Sequence, residues 1–563
     1  MKILGIIDTH DAGIALIEDG KIIFAINEER LNRIKLCTGF PKKSIELLLK
    51  KYKANDVDRI AVGSKYIELV EESRSFGGEK LDNINRKAMS SLSRFGGCFF
   101  KTGAWTRIHK GLFSIMFKRR QDEIKRILKE YGFNCPVDFI DHHTSHAASA
   151  YYTSGKDNVL VITSDAAGDA LSATVFVGNG GKLTKLKEVN SYNSIGKLYS
   201  YVTEICGFKP LRHEGKITGL AAYGNPIYIS LFNKMVVFNN GGFTNISNTK
   251  HERSKEKILK EIGRDFKKEN LAASVQKHLE NETIKFVSHW LDKTRLRNVV
   301  LAGGVFSNVK LNQKILELDN IDSVYIHPNM GDGGLALGAA LYVNGGKPIN
   351  IDDVYFGVEY SEKEIEETLK KYNLKYKKYN HVEKEIAKLL SEKKVVARFN
   401  GKMEYGPRAL GNRSILYHAG DKTVNDWLNK NLCRTEWMPF APVTLEEFKS
   451  DYYLNYKGGE HAAKFMTITF DCNDRMREES PAVVHVDNTA RPQLINEEIN
   501  PSYYKILKEY HKLTNIPTII NTSFNMHEEP IVCSPEDAVR SFKKGNLDVL
   551  AIGNFIVKNQ SSP

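Results

Sequence analysis

The chain is poor in cysteine and has no long apolar run. Its 563 residues include seven cysteines (Cys37, Cys98, Cys135, Cys206, Cys433, Cys472 and Cys533), scattered and never paired as C-x-x-C. That distribution excludes a disulfide framework and a cysteine-type zinc site, and it fits a reducing cytosol. No stretch approaches the roughly 20 apolar residues needed to cross a bilayer. The opening MKILGIIDTHDAG is broken by Asp8 and Asp11 and has neither the apolar core nor the cleavage site of a signal peptide. The expected location is therefore cytoplasmic, with no membrane partner. Low-complexity tracts are also missing. Hydrophobic residues at 41% and charged residues at 26% are ordinary for a globular protein. The length suggests about two to four domains.

Charge is the one bulk property that is unbalanced, at +13 net. Such an excess suits nucleic acid, acidic lipid or anionic small molecules. Basic residues crowd between Lys101 and Lys129. No RNA- or DNA-binding signature accompanies them, so this run reads as a solvated amphipathic helix, and nucleic acid is not the expected partner.

The first thirty residues read as a β-meander: strands at 3–8, 13–18 and 21–26, with a tight turn at Asp19-Gly20. A similar layout recurs, with a strand at 159–163 leading to Asp165, then strands at 173–177 and 183–189 around a glycine-rich turn. Two strand–aspartate–hairpin units indicate an internal duplication. A duplicated unit of this kind is how the actin-like ATPase fold is built, with nucleotide in the cleft and the strand-end aspartates facing it. A helix is expected at 270–291. Strands at 299–302 and 323–327 run into Gly303-Gly304 and Gly331-Asp332-Gly333-Gly334, the second followed by a small-residue helix at 335–342. Strand–glycine–helix junctions are where phosphates bind. The pattern breaks at Gly345-Gly346-Lys347-Pro348, which divides the chain into residues 1–348 and 349–563. Beyond the break, 361–372 reads as a hairpin or a helix, and 395–399 as a strand feeding an Arg-rich segment.

In DHHTSHAASA, His142 and His146 are four apart and share a helix face. Two imidazoles so placed can chelate one metal ion. A zinc protease of the H-E-x-x-H type would need Glu at position 143, where this chain has His143. With Asp165 and Asp332, a set of two histidines and two carboxylates suits Fe(II), Mn(II) or Zn(II) better than Mg(II). The spacing alone also fits histidines that simply pack in an interior.

Together these segments carry a family resemblance. THDAGIAL, NEERLNRIK, DHHTSHAASA, LAGGVFSN and GDGGLALGAA resemble the N-terminal domain of the O-carbamoyltransferases of the nodulation-factor, cephamycin and tobramycin type. That domain is similar to the tRNA-threonylcarbamoylation protein Kae1, of the actin-like superfamily. NGKMEYGPRALGNRSIL, EWMPFAP, HVDNTARPQ and INTSFNMHEEPIV resemble the family's second, YrdC-like domain. The resemblance spans nearly the whole chain. It implies an α/β protein with a duplicated actin-like (Kae1-like) domain followed by a YrdC-like α/β domain. The YrdC-like domain would make carbamoyl adenylate from carbamoyl phosphate and ATP, with Mg(II) accompanying ATP. The Kae1-like domain would pass the carbamoyl group to a hydroxyl.

The resemblance also implies site residues. A divalent metal, typically iron, would be held by His142, His146, Asp165 and Asp332. His10 falls in the family's first loop and is the candidate general base, since a near-neutral pKa suits removal of a hydroxyl proton. A loop histidine that only binds substrate is the alternative. Lys35 matches a position near the phosphates, and Gly303, Gly304 and Asn308 match the nucleotide loop. Many relatives have Ser where this chain has Gly13. The second site must hold several negative charges, which calls for Arg and Lys. Lys402 (Arg in many relatives), Arg408, Arg413, Ser414, Arg434, Arg491, Asn521, Ser523 and Asn525 are its candidates.

Other readings stay open from sequence: a threonylcarbamoyl-type tRNA-modifying enzyme, an actin-like sugar kinase, or a non-catalytic metal scaffold. The candidate acceptors are small molecules or sugars with a free hydroxyl: an antibiotic, a signalling oligosaccharide, a surface polysaccharide or a toxin alcohol. An oligomer is left open.

Overall fold

The computed structural model describes residues 1–65, 118–432 and 437–559, and the backbone of residues 74–75. Most of the basic run at 101–129 lies outside the described residues; its end belongs to a helix at 118–130. The chain forms two compact units. The first comprises Met1–Glu28 and Leu36–Ile351, the second Glu29–Lys35 and Asp352–Pro563. Both are mixed α/β. Among the described residues, no helix is long and apolar enough to cross a membrane.

The first unit contains two five-stranded sheets. One is built from β1 (Lys2–Ile7), β2 (Gly13–Glu18), β3 (Lys21–Asn27), β4 (Arg59–Val62) and β5 (Val137–Phe139), in the order β3-β2-β1-β4-β5. β1 pairs antiparallel with β2 and parallel with β4, and β4 pairs parallel with β5. The β2–β3 turn has φ +48° at Asp19 and +78° at Gly20. Two positive φ values suit the primed turns that match strand twist.

Helix α1 (His142–Thr153) follows β5. The second sheet then forms from β6 (Val159–Gly168), β7 (Leu171–Asn179), β8 (Lys182–Asn190), β9 (Asn298–Ala302) and β10 (Ser323–Ile326), in the order β8-β7-β6-β9-β10. Its pairing senses repeat those of the first sheet. The repeated hairpin pattern of the sequence thus has a topological counterpart. Helices α2 (Ile195–Ile205) and α3 (Lys268–Thr294) lie between β8 and β9 in the chain, and α4 (Leu335–Asn344) follows β10.

α1 is buried along its whole length, and α4 packs against both α1 and β1. Small residues make this possible. A Cβ on Gly5 would stand 1.9 Å from the Ala336 carbonyl oxygen, and one on Gly338 would stand 1.9 Å from that of Ser145. The backbones touch, and any side chain there would drive the layers apart. One expectation changes. Asp165 does not close its strand: β6 runs on to Gly168, and the pairing is irregular between Ser164 and Gly168. Asp165 therefore sits in a bulge, which re-aims a side chain without ending the sheet.

The second unit opens with helix α5 (Glu362–Lys371), which settles the hairpin-or-helix alternative. Its capping box is reciprocal, with Ser361 Oγ accepting from Glu364 N and Glu364 accepting from Ser361 N. An eight-stranded sheet follows: β11 (Tyr376–Lys378), β12 (Val396–Phe399), β13 (Arg413–His418), β14 (Ala441–Leu445), β15 (Gln493–Ile495), β16 (Thr518–Ser523), β17 (Val549–Ile552) and β18 (Phe555–Lys558). Their order is β11-β18-β17-β12-β13-β16-β14-β15. Helices α6 (Val382–Ser391) and α7 (Pro501–Thr514) pack together, and Leu390, Leu416, Val443, Tyr503 and Leu507 belong to a shared buried core. The early segment Glu29–Lys35 completes this unit. Arg30 Nη2 donates to the Gly406 carbonyl at 2.7 Å. Arg33 donates to the carbonyls of Ile531 at 2.7 Å and Pro530 at 2.6 Å.

Candidate metal centre and second site

Asp141 caps α1, its Oδ1 accepting from Thr144 N at 3.0 Å and Thr144 Oγ1 at 3.1 Å. The cap fixes the first turn, which places His142 and His146 on one face. Asp169 reinforces the start by accepting from His142 N at 2.8 Å, Ser64 Oγ at 3.0 Å and Lys65 N at 2.9 Å. Asp165 arrives from the bulge of β6, and Asp332 from the turn Asp332–Gly334 before α4.

The four side chains converge. His146 Nε2 is 3.1 Å from Asp165 Oδ2 and 3.4 Å from Asp332 Oδ1. His142 Nε2 is 3.6 Å and 3.5 Å from the same two oxygens. One ligand atom from each residue lies within 4.8 Å of the others, and all four residues are buried. Both ring nitrogens of His142, and Nδ1 of His146, are buried without a hydrogen-bond partner. Buried polar atoms are ordinarily satisfied, so these orphans call for an explanation. Two imidazole nitrogens and two carboxylates match a late divalent ion in donor chemistry, and the residues fit one.

The electrostatics agree. Burial opposes charge on His142, but Asp332, Asp165 and Asp169 outweigh it and lift the imidazole to about 9. Burial works against Asp332 too, yet His10 and His142 hold it well below the usual carboxylate range. Asp165 is also held low: burial and Asp332 oppose its charge, and the adjacent His142 and His146 imidazoles win. His143 is different. Its Nδ1 is 2.7 Å from Thr163 Oγ1, and burial beside His142 and His146 pushes it down to about 3. It is a neutral interior histidine.

Glycines shape the surroundings. A Cβ on Gly168 would stand 2.1 Å from the His142 ring, and one on Gly304 3.0 Å from Asp165 Oδ1. Gly303 has φ +103°, and a Cβ there would meet the Ser164 carbonyl oxygen at 2.2 Å. Gly303 and Gly304 therefore press against the bulge that carries Asp165.

His10 joins the cluster from the loop after β1. Its Nε2 is 2.9 Å from Asp332 Oδ2, and its Nδ1 3.4 Å from Asp11 Oδ2. Burial opposes its charge, but Asp332 and Asp11 raise it well above the ordinary histidine value. Asp8, the strand-end aspartate of the first sheet, is buried and ion-paired with Arg120, whose Nε donates to Asp8 Oδ2 at 3.1 Å and whose Nη1 donates to the Ser64 carbonyl at 2.5 Å. Sequence reading missed Arg120, which was one basic residue among many.

Asn308 holds the fold. It caps the following helix by accepting from Leu311 N at 3.0 Å, and its Nδ2 donates to Gln276 Oε1 at 2.7 Å. Lys35 lies in the Glu29–Lys35 segment and is half-buried.

In the second unit, β13 and β16 bring two motifs side by side. Ser414 pairs in register with Ser523, and Leu416 with Asn521. Asn521 Nδ2 donates to Gln493 Oε1 at 2.7 Å and the Ala409 carbonyl at 3.2 Å, while its Oδ1 is a buried orphan. Asn525 Nδ2 donates to the carbonyls of Met526 and Glu529. Lys402 is exposed, and Arg408 and Arg491 are half-buried. Arg434 lies outside the described residues.

Arg413 departs from expectation. It is fully buried, donates to the carbonyls of Asn400 at 2.7 Å, Asn412 at 2.9 Å and Gly401 at 3.1 Å, and lies 3.7 Å from the Phe399 ring centroid. Those bonds give it a structural role. Glu404 was not anticipated. Its Oε1 accepts the N–H groups of Leu410 and Asn412, both at 2.8 Å, and of Arg413 at 3.1 Å. One buried carboxylate thus shapes the whole GPRALGNR loop. Its only trace in the sequence is its place just before that motif.

The comparisons give the class first. Residues 2–341 match the family described as Carbamoyltransferase N-terminus, and residues 387–559 match Carbamoyltransferase C-terminus. The chain is a transferase enzyme, and it belongs to the carbamoyltransferase family. It is 33% identical to an uncharacterized protein of Methanocaldococcus jannaschii, over 99% of each chain. It is 30% identical to nodulation protein NolNO of Sinorhizobium fredii, over 98% of this chain and 79% of that one. Nodulation protein U of the same species is 26% identical over 94% of each.

Proposed function

We propose that this enzyme is an ATP-dependent O-carbamoyltransferase. The second unit, read as YrdC-like, converts carbamoyl phosphate, ATP and water to carbamoyl adenylate, phosphate and pyrophosphate. The first unit, read as Kae1-like and actin-like, passes the carbamoyl group to a hydroxyl of a small molecule or sugar and releases AMP. The setting is natural-product or glycan biosynthesis. The observation that carries the reading is the convergence of His142, His146, Asp165, Asp332 and His10 in a carbamoyltransferase chain. A divalent ion on the four ligands, iron as the family resemblance implies, with Mn(II) or Zn(II) equally compatible with the donor set, would supply positive charge beside an anionic phosphoryl group.

His10, in its neutral form, takes the proton from the acceptor hydroxyl as the new ester forms; a cation held by Asp332 would offset the carboxylate charge that otherwise keeps this imidazole protonated. Gly303 and Gly304 let the backbone come close to the nucleotide. In the second unit, Lys402, Arg408 and Arg491 meet the phosphates, with Ser414 and Ser523 as hydroxyl donors, while Glu404 holds their loop. The test is pyrophosphate release from enzyme, ATP, Mg(II) and carbamoyl phosphate without an acceptor. Release that depends on carbamoyl phosphate is expected; none would sink the mechanism. A panel of hydroxylated acceptors, read by a carbamoyl mass shift, then identifies the second substrate.

A further inference from the structure

Strand β3 ends at Asn27, which pairs in register with Gly13 of β2 and is buried. Its side chain crosses from the hairpin to the loop that carries Asp332. Asn27 Nδ2 donates to the Asp11 carbonyl at 3.1 Å and to the Gly333 carbonyl at 3.3 Å. Its Oδ1 accepts from Asn329 Nδ2 at 3.2 Å. The first carbonyl belongs to the residue after His10, the second to the residue after Asp332. One amide therefore ties together the backbones on either side of the 2.9 Å contact between His10 Nε2 and Asp332 Oδ2.

The amide can sit only one way. A backbone carbonyl accepts and never donates, so the NH2 end must face Asp11 and Gly333. The oxygen is then left to Asn329, whose side chain supplies the matching donor. Space is kept for this arrangement. A Cβ on Gly13 would stand 3.0 Å from Asn27 Nδ2, and one on Gly333 2.8 Å from the same atom. The amide thus lies in a slot between two glycines. The loop it grips needs holding. Asp11 has φ +59°, a conformation that few non-glycine residues adopt. The His10 side chain is 27% exposed, so packing alone does not fix it.

We propose that Asn27 is a positioning residue for carbamoyl transfer, clamping the His10 loop to the Asp332 loop so that the imidazole stays where the acceptor hydroxyl meets it. The proposal rests on the reading of His10 as the base. Asn27 acts through the two backbones and takes no part in proton transfer itself.

The test uses the full-length, metal-free enzyme with carbon-13 at histidine Cε1, read by nuclear magnetic resonance. The His10 signal is assigned by its absence in His10→Gln. Asn27→Ala removes the amide. Asn27→Asp keeps its shape and the Asn329 bond but turns an oxygen toward the two carbonyls. In both variants the His10 signal should move toward its position in Asp332→Asn, while the His289 and His381 signals stay in place. With glycerol as the acceptor probe, carbamoyl transfer read by mass should fall about 10- to 100-fold, since displacing a reacting group by about 1 Å costs on that order. In a His10→Gln background Asn27→Ala should cost nothing further, because the clamp acts through His10. An unmoved His10 signal in both variants overturns the inference, and so does an equal loss of transfer in that background. Movement of every histidine signal in both variants would mean that Asn27 holds the fold at large, which also overturns it. Carbamoyl-phosphate-dependent pyrophosphate release in the same preparations separates the two failures. Its absence from the wild type sinks the functional reading, while the His10 signal still decides on the clamp.

Discussion

His10 and Asp332 are joined edge to edge: Nε2 of the imidazole stands 2.9 Å from Oδ2, while Oδ1 of the same carboxylate stands 3.4 Å from His146 Nε2. One carboxylate thus faces the proposed base and the proposed metal at once. The two roles can be separated by substitution. His10→Gln should lower carbamoyl transfer by about 10²- to 10⁴-fold, the usual worth of a general base, with metal content unchanged by elemental analysis. Asp332→Asn should lower both. Full transfer activity in His10→Gln would remove the base role.

A metal bound at the proposed site should compete with protons for the cluster. His142 titrates at about 9 in the metal-free chain, so it is protonated at neutral pH and an incoming ion must displace that proton. Metal affinity should therefore rise with pH, by up to about tenfold per unit below the His142 pKa, and level off above it. Competition with a chromophoric chelator across this range measures the slope. A flat profile would show that no ligand proton is released. His146→Ala should abolish metal binding and transfer while leaving carbamoyl-phosphate-dependent pyrophosphate release intact; loss of both steps would count against two separate sites.

Glu404 predicts a stability effect within the second unit. Replacing it with Ala leaves three buried N–H groups without their acceptor. The expected cost is on the order of 3 kcal/mol, somewhat more than a single unsatisfied group. Glu404→Gln keeps an amide oxygen in place and should lose much less. Thermal unfolding followed by circular dichroism compares them. Equal losses in the two variants would mean that the acceptor oxygen is not what holds the loop.

Arg408 and Arg413 sit in one motif but should fail differently. Arg413→Lys replaces a fork on several carbonyls with a point donor and removes the guanidinium from the Phe399 face, so unfolding should become easier. Arg408→Ala should leave unfolding nearly unchanged and raise the carbamoyl phosphate concentration needed for pyrophosphate release. The reverse pattern would exchange the two assignments.

The contrast between these arginines shows what a sequence can and cannot disclose. The hairpins around Asp19-Gly20 and Gly180-Gly181 were legible because turn chemistry is local. His142 and His146 were legible as candidates because residues four apart share a helix face, and Asp332 because it lies in a strand–glycine–helix junction; Asp165 entered through the family resemblance. The bulge that carries Asp165 was not legible, since it depends on pairing with Leu171–Asn179 rather than on any single residue. Asn308 and Arg413 look alike as candidates for ligands; only their partners, Gln276 and the Asn400 carbonyl, reveal that the fold uses them. Asp8 and Arg120 meet across 112 positions, and nothing in either neighbourhood announces the pair.

The segment Glu29–Lys35 has a consequence for how the enzyme is made. Arg30 and Arg33 leave the ribosome early, but the carbonyls they bind, on Gly406, Pro530 and Ile531, come hundreds of residues later. The second unit therefore cannot be finished until Pro530 and Ile531 have been made. A gene fragment beginning at Asp352 would encode a body that lacks the Glu29–Lys35 piece. Any attempt to separate the two halves must graft that short stretch onto the later one.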